Sequence, residues 1–430
     1  MRTYLGLGSN LGDRHANLAR AIELLAQRPL RVERISPVVE SPALLPEGAP
    51  PDWNRPYLNL AVACETEASP PALREWSKEI EQRLGRAPGE HWAPRPLDID
   101  ILLWGDEQWL DETLTIPHPG LRERNFVLTP MVALEPRLVP PGADGENLLE
   151  YSRRLADPLP LWMGIVNVTP DSFSDGGRFT DWPAVEPLVR DMLDAGVHII
   201  DVGGESTRPG AQSLRHGEEW ARVGPVLEQL LELRSGSTPG PYISIDTYHA
   251  DTARRALDLG ADMVNDVSGL ASPAMIELAG DSGADWVAMH QLSLPVDPHL
   301  TLSTDRGPFT AVEQWLLESL ERWDKAGLDL NRIIFDPGIG FGKTAHQSWE
   351  LLSRASEFRR HGLRVLVGHS RKSFLRPYFG NDMQAREQAT IGVSLDLCAQ
   401  GVDIVRVHDV PLNMGAWRGW SLARGARQHF

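Results

Sequence analysis

Two aspartates one residue apart, in the segment Arg95-Pro-Leu-Asp-Ile-Asp-Ile-Leu-Leu103, point directly to chemistry. In a strand, residues i and i+2 face the same side, so Asp98 and Asp100 present their carboxylates together while Leu97, Ile99 and Ile101 face the other way. Adjacent carboxylates repel and call for a cation. Magnesium held by one or two carboxylates plus substrate phosphates is one reading; a solvated acidic strand edge is the other. Arg86, Arg95, His118 and Arg124 are available as phosphate-binding cations.

A second set of polar groups is spread over the C-terminal half. Eight short apolar runs (161–168, 197–204, 242–247, 263–268, 285–290, 332–338, 365–370 and 404–409) end in Asn167, Glu205, Asp246, Asn265 with Asp266, His290, Asp336, Ser370 and His408. Most segments between them carry helical periodicity, among them Trp182–Ala195, Ala250–Leu259 and Gln314–Ala326. Eight strand-then-helix units closing on themselves make a (β/α)8 TIM barrel, an α/β fold whose chemistry sits at the C-terminal strand ends. A doubly wound sheet with polar loops is the alternative. The Gly- and Pro-rich loops at 167–177 and 201–210 suit close approach to a ligand, with hydroxyls and Arg208 to meet an anion. Lys372, Arg406 and His408 converge on the same barrel mouth, whereas Arg371 reads as a capping or surface residue.

Upstream of the barrel the rhythm changes. Strands are expected at Thr3–Leu7, Val32–Ser36, Tyr57–Glu65 and Leu97–Trp104, with helices at Ala16–Ala26 and Ala72–Leu84. The order β-α-β-β-α-β is that of a ferredoxin-like α+β domain. A Pro- and Gly-rich stretch, Pro136–Pro160, marks the boundary. Two glycine motifs tempt a nucleotide reading and fail it. In Gly6-Leu-Gly-Ser-Asn-Leu-Gly12 the third glycine of a Rossmann fingerprint would fall on Leu11, and a tight strand-to-helix turn is the other use of these glycines. In Asp336-Pro-Gly-Ile-Gly-Phe-Gly-Lys343 the first glycine of a P-loop would fall on Pro337.

The 430 residues allow two or three domains. A hydrophobic content of 42% and a charged content of 23% are ordinary for a globular protein. No run approaches the roughly 18 apolar residues of a membrane span, and the opening MRTYLGLGSN reads as a strand rather than a signal or transit sequence. Cys64 and Cys398 have no metal spacing and read as reduced, buried thiols in a cytoplasmic protein. A net charge of −17 argues against nucleic acid and anionic membranes as partners.

Residues 1–155 resemble the 6-hydroxymethyl-7,8-dihydropterin pyrophosphokinases through GLGSNLGDR, the Tyr57-Leu-Asn59 strand, Arg95-Pro-Leu-Asp-Ile-Asp and Pro117-His118. The resemblance implies that Asp98 and Asp100 hold magnesium ions bridging ATP. It also implies that the pterin lies between Tyr57 and Phe126 with Asn59 bonded to it. Glu81 matches an acidic substrate-site position, and Arg86, Trp92, Arg95, His118 and Arg124 match positions that order a loop and bind phosphate. The short loop 86–92 carries Pro88 near the place of a second arginine.

Residues 158–430 resemble the dihydropteroate synthases through NVTPDSFSDGG, ESTRPG, DPGIGFGK, SRKSF and RVHD. This implies pterin recognition by Asp246, Asn265, Asp336 and Lys372, with Met289 packed on the ring. Asn167, Arg406 and His408 would hold the diphosphate and its magnesium. Thr207, Arg208, Pro209, Phe341 and Ser370 would shape the p-aminobenzoate pocket. The segment 291–309 departs from the family pattern. Together the two resemblances imply a bifunctional folate-synthesis enzyme, with a homodimer formed through the barrel. Two rival readings are a chain in which only the barrel is active, the first domain merely binding pterin, and a pterin-dependent methyltransferase.

Overall fold

The computed structural model describes residues 1–87, 92–155, 157–168, 182–205, 214, 217–235, 239–297 and 299–427. The chain divides into two compact units: Met1–Leu159 with Arg234–Gly240, and Pro160–Leu233 with Pro241–Phe430.

In the first unit, strands β1 (Arg2–Ser9), β2 (Leu30–Ile35), β3 (Val39–Ser41), β4 (Tyr57–Thr66) and β5 (Asp98–Trp104) form one antiparallel sheet in the order β2-β4-β1-β5, with β3 paired to β4. This is the ferredoxin-like arrangement. Strict alternation gives the sheet two apolar faces. Leu5, Leu7, Leu60, Val62, Ile99 and Ile101 pack against Leu18, Ile22 and Leu25 of helix Arg14–Ala26 and Leu73 and Ile80 of helix Pro70–Arg83. On the other face Tyr4, Ala61 and Ala63 meet helix Asn125–Leu134 through Leu128, Met131 and Leu134. A bulge in β5 opposite Tyr4 and Leu5 brings both Leu102 and Leu103 into that second cluster. A two-residue pair, β6 (Trp109–Leu110) and β7 (Thr115–Ile116), lies beyond β5.

The stretch Pro136–Pro160, expected as a boundary, is partly folded into this unit. Asn147 and Glu150 form a reciprocal capping box that starts the short helix Leu148–Ser152. Leu148 and Leu149 are buried, and their amides donate to the carbonyls of Leu138 and Pro136.

The second unit is a closed barrel of eight parallel strands: β8 (Leu161–Asn167), β9 (Ile199–Gly203), β10 (Tyr242–Asp246), β11 (Met263–Asp266), β12 (Asp285–Met289), β13 (Ile333–Asp336), β14 (Arg364–Gly368) and β15 (Ile404–Val407). Helices follow the strands, Trp182–Ala195 and Ala250–Leu259 with the bounds that periodicity predicts. The helix expected at Gln314–Ala326 begins instead at Pro308, because its apolar stripe extends back through buried Pro308, Phe309 and Val312 and proline suits the first helical turn.

The N-terminal rim of the barrel is locked by a repeated device. A polar side chain just before one strand accepts the backbone N–H at the start of a neighbour: His198 Nδ1 from Trp162 at 2.9 Å, Asp262 from Ile243 at 2.8 Å, and Asp403 from Val365 at 2.8 Å. Asp285, fully buried, binds the equally buried Arg364 through both carboxylate oxygens at 3.1 Å. Removing one partner of such a pair leaves an uncompensated buried charge. Asp285→Ala should therefore cost the barrel about 3–5 kcal/mol, read as a lower denaturation midpoint of that unit, while turnover per folded molecule stays unchanged because the chemistry sits at the opposite rim.

Candidate functional site

The paired aspartates of β5 lie on the sheet face that helix Asn125–Leu134 covers only in part. Across β1, Gly8 stands opposite both Asn59 of β4 and Asp98 of β5, and Gly6 opposite Ala61 and Asp100. Both glycines are thus inside a strand, and the turn that is one reading of the motif is made by Gly12 at φ 72°. Their role is space. A Cβ on Gly8 would stand 3.1 Å from Asn59 Oδ1 and 3.4 Å from the Tyr57 ring, and one on Gly6 would stand 3.2 Å from Leu102. The result is a cleft of about 410 Å³ lined by Tyr57, Asn59, Arg86, Trp92, Arg95, Asp98, Asp100, His118, Arg124 and Phe126, with Lys78 beside them.

Charge is distributed unevenly in this cleft. Asp98 is paired with Arg86 and, at 3.3 Å, with Arg95. Burial in the cleft pushes Asp100 up to about 7, with the adjacent Asp98 adding to it and Lys78 opposing. Because 43% of its side chain still meets solvent, the depth of the cleft rather than full enclosure provides this desolvation. A carboxylate short of positive charge beside an arginine-paired neighbour is a fitting cation ligand set. His118 is held below the usual imidazole range by burial and by Arg124. Its Nδ1 accepts the Gly120 amide at 3.1 Å, which assigns the remaining ring proton to Nε2, 3.8 Å from Asp100.

Glu81, expected at the substrate, does not line the cleft. It is 1% exposed, accepts from Lys78 at 2.8 and 2.9 Å and from the Ile99 amide at 2.9 Å, and pairs with Arg86 at 2.7 Å. It therefore braces the strand between the two aspartates from below. Asn10 has a similar role that the sequence reading passed over. Its side chain accepts the Arg95 amide at 2.7 Å while its own amide donates to the Arg95 carbonyl at 3.2 Å, fixing the loop that delivers Arg95. The reciprocal pair joins residues far apart in sequence, and nothing local announces it.

At the C-terminal rim of the barrel, Arg406 projects from β15 and binds two carboxylates: Asp201 of β9 and Asp246 of β10, each at 2.7 Å. Asn265 of β11 donates to the same Asp201 oxygen at 3.0 Å. Asp201 was not among the expected site residues because it sits within its strand rather than at the end. A charged residue inside the run Ile199-Ile200-Asp201-Val202 was the available signal. Asp246 is pushed up to about 7 by burial, with Arg406 opposing and Asp201 and Glu219 adding to the rise.

Asp336 ends β13 and accepts the Gly338 amide at 2.7 Å; burial raises its carboxyl, and Lys372 opposes. Lys372 Nζ donates to the Ile339 carbonyl at 2.7 Å and stands 4.6 Å over the Phe341 ring. Burial brings its ammonium down to about 8. Ser370 Oγ meets His408 Nδ1 at 3.0 Å, Met289 is buried at the end of β12 beside Asp336, and Asn167 ends β8 beside Gly203. Thr207, Arg208 and Pro209 lie outside the described residues.

The glycine turn after Asp336 is not a phosphate cradle. Lys343 turns inward, 2.9 Å from His290 Nδ1 and donating to the Phe341 carbonyl at 2.9 Å. The atypical segment after His290 packs on this turn: Leu302 donates its amide to Gly342 O at 2.9 Å, and Leu292 lies against Gly342.

A ferredoxin-like unit with paired carboxylates among arginines, joined to a (β/α)8 barrel with its polar groups at the C-terminal rim, defines a two-site enzyme. Residues 4–136 match the family described as 7,8-dihydro-6-hydroxymethylpterin-pyrophosphokinase, and residues 163–408 the family described as pterin binding enzyme. The folate synthesis bifunctional protein of Chlamydia muridarum is 40% identical over 96% of this chain and 98% of its own length. Dihydropteroate synthase from Clostridium difficile, solved with pteroic acid, is 39% identical with a TM-score of 0.55, covering 60% of this chain and 95% of that one. The Anaplasma phagocytophilum dihydropteroate synthase, solved with 6-hydroxymethylpterin-monophosphate, is 33% identical with a TM-score of 0.55, covering 61% and 99%. The chain belongs to the bifunctional folate-synthesis enzymes, with a hydroxymethyl-dihydropterin pyrophosphokinase domain followed by a dihydropteroate synthase barrel.

Because Gly8 makes the floor of the cleft, Gly8→Ala should lower kcat/KM of the pyrophosphokinase step by about tenfold or more through displacement of Asn59 and Tyr57. The synthase step, measured on preformed pterin diphosphate, should not change.

Proposed function

We propose that the cleft on the N-terminal sheet transfers diphosphate from ATP to the hydroxymethyl oxygen of 6-hydroxymethyl-7,8-dihydropterin, and that the barrel condenses the product with p-aminobenzoate. The observation that carries the reading is the meeting of Asp98, Asp100, Arg86, Arg95, His118 and Arg124 with Tyr57, Asn59 and Phe126 in one cleft. Aromatic faces suit a flat heterocycle, and Asn59 can bond its edge.

In the first step the substrate hydroxyl attacks the β-phosphorus and loses its proton, and AMP leaves. Such a transfer depends on positioning and charge neutralisation. Asp98 and Asp100 are the groups that would hold magnesium, which when bound neutralises the phosphates. Arg86, Arg95, Arg124 and the Nε2–H of His118 would orient the phosphate oxygens, and Trp92 would cover them. Glu81 acts here as a positioning residue through Arg86 and the Ile99 amide.

In the barrel, Asp336 would accept parallel N–H bonds from the pterin's aminopyrimidine edge, with Asp246, Asn265 and Lys372 completing recognition and Met289 packing on the ring. Arg406, His408 and Asn167 would hold the diphosphate, Asn167 also its magnesium. The bond from methylene to diphosphate breaks, and the p-aminobenzoate nitrogen attacks the methylene and loses a proton, leaving 7,8-dihydropteroate. Fixed positive charge at the departing diphosphate lowers this barrier. Phe341 and Ser370, with Thr207, Arg208 and Pro209, would border the p-aminobenzoate.

The same reading has the barrel pairing with a second copy and the enzyme working in the cytoplasm. The exposed Tyr378 and Phe379 beside Trp349 support pairing. No helix among the described residues is long and apolar enough to cross a membrane.

One incubation with ATP, magnesium, hydroxymethyl-dihydropterin and p-aminobenzoate, following AMP and dihydropteroate together, tests the whole. Wild-type enzyme should form both. Asp98→Ala should abolish AMP formation and leave dihydropteroate formation from preformed pterin diphosphate intact; loss of both would sink the assignment of separate sites.

The pH dependence of the second step follows from Lys372. Its folded pKa is lowered to about 8, so its positive charge is present below that pH and lost above it. Synthase kcat/KM should therefore fall as pH rises through about 8. Lys372→Arg, whose guanidinium stays charged, should remove that alkaline limb even if its maximum is lower. An unchanged limb in the variant would take Lys372 out of the role.

A further inference from the structure

Apart from both sets of substrate groups, Glu205, Glu219 and His249 gather where three segments of the barrel rim meet: the end of β9, the first turn of helix Glu218–Ser235, and the residue before helix Ala250–Leu259. One ligand-capable atom from each lies within 4.8 Å of the others. We propose that these three side chains form a binding site for a divalent transition-metal ion, Zn²⁺ foremost, distinct from the magnesium sites of the two reactions.

The arrangement of donors argues for it. Each carboxylate has one oxygen held by a hydroxyl: Thr247 Oγ1 donates to Glu219 Oε2 at 2.7 Å, and the Tyr248 hydroxyl to Glu205 Oε1 at 2.6 Å. The second oxygen of Glu219 is left for a cation, and that of Glu205 is hydrogen-bonded to the His249 ring. Glu205 Oε2 faces His249 Nε2 at 2.8 Å. Glu219 is 2% exposed, and its Oε1 is buried with no hydrogen-bond partner. Orienting donors on the outer oxygens of carboxylate ligands are characteristic of metal sites. A buried acceptor without a partner is costly, and a cation is one way to satisfy it.

Charge balance points the same way. The side chain of Glu205 is 6% exposed, so two largely buried carboxylates stand together. Burial raises the Glu219 carboxyl, and the hydroxyls of Thr247 and Thr252 only partly oppose this. Two carboxylates and one imidazole make a donor set whose charge a divalent ion can balance. Imidazole favours a transition metal over magnesium. With bonds of about 2.0–2.1 Å in a tetrahedral site, ligand atoms stand about 3.3 Å apart, so the His249–Glu205 pair would open by about 0.5 Å to admit the ion. Three protein ligands leave the fourth position to water.

The test uses metal-stripped full-length protein titrated with Co²⁺ alone, followed by its visible ligand-field absorption and then by Zn²⁺ competition. Wild-type protein should bind one equivalent with tetrahedral absorption that Zn²⁺ abolishes. Asp98→Ala should keep this signal, which separates it from the cleft of the first unit. His249→Ala should lose it, with an unchanged circular dichroism spectrum as the folding control, since this ring is 36% exposed. Thr247→Val, which removes the hydroxyl that orients Glu219 and accepts the His249 amide at 3.1 Å, should weaken binding about 10–100-fold. Absence of a tetrahedral signal in wild-type protein, or an unchanged signal and affinity in folded His249→Ala, would overturn the proposal.

Discussion

Arg406 holds two carboxylates, the buried Asp201 and the partly exposed Asp246, that would otherwise repel each other inside the barrel. Much of the polar rim is arranged around this guanidinium. It ties β15 to β9 and β10, and Asn265 of β11 joins through the same Asp201 oxygen. Four strands thereby acquire a fixed relative position before any ligand arrives. A guanidinium suits the task because its planar fork stays charged and can serve two acceptors at once. The compensation is incomplete: Asp246 remains raised to about 7, and burial raises Asp336. That residual demand for protons or cations is one that hydrogen-bond donors at the rim can meet.

The first unit meets the same electrostatic problem on an unrelated scaffold. Asp98 takes the arginines, and Asp100 is left raised to about 7. In the first unit one carboxylate is anchored and its neighbour is left short of positive charge, whereas in the barrel Arg406 anchors both and burial still raises Asp246. The anchoring arginines are themselves aligned from behind, Arg86 by Glu81 and Arg95 by its backbone bonds to Asn10. Mobility is removed from the groups that must be preorganised, and the remaining charge is available to the substrate.

The barrel also separates stability from chemistry along its axis. At the N-terminal rim, His198, Asp262 and Asp403 spend their polar atoms on the backbone of neighbouring strands, and Asp285 on Arg364. At the C-terminal rim, side chains face one another across the mouth. Glycine works at both sites by absence: Gly6 and Gly8 make room on the sheet, while Gly338 lets the chain turn against the His290 carbonyl, where a Cβ would come within 1.8 Å.

Much of the fold was legible in the sequence because strand and helix periodicity are local. The eight barrel strands, the order of the ferredoxin-like elements and the helices Trp182–Ala195 and Ala250–Leu259 follow from residue spacing alone. Weaker local signals left two features out of view: the start of a helix at Pro308, and the short helix at Leu148 and Leu149 inside the Pro-rich stretch that marks the boundary. The residue types of both sites were legible for the same reason, since Asp-x-Asp on one strand face and polar groups at strand ends are patterns of short range. Their partners were not. Arg406 lies 205 residues from Asp201 and 160 from Asp246, Asn10 lies 85 from Arg95, and Glu81 is seen to be a brace only when the Ile99 amide is found above it. The sequence by itself determined which groups are present and which face of an element carries them. Only the tertiary structure decided which charge neutralises which, because that depends on distances across a closed barrel and a sheet, and no local period encodes them.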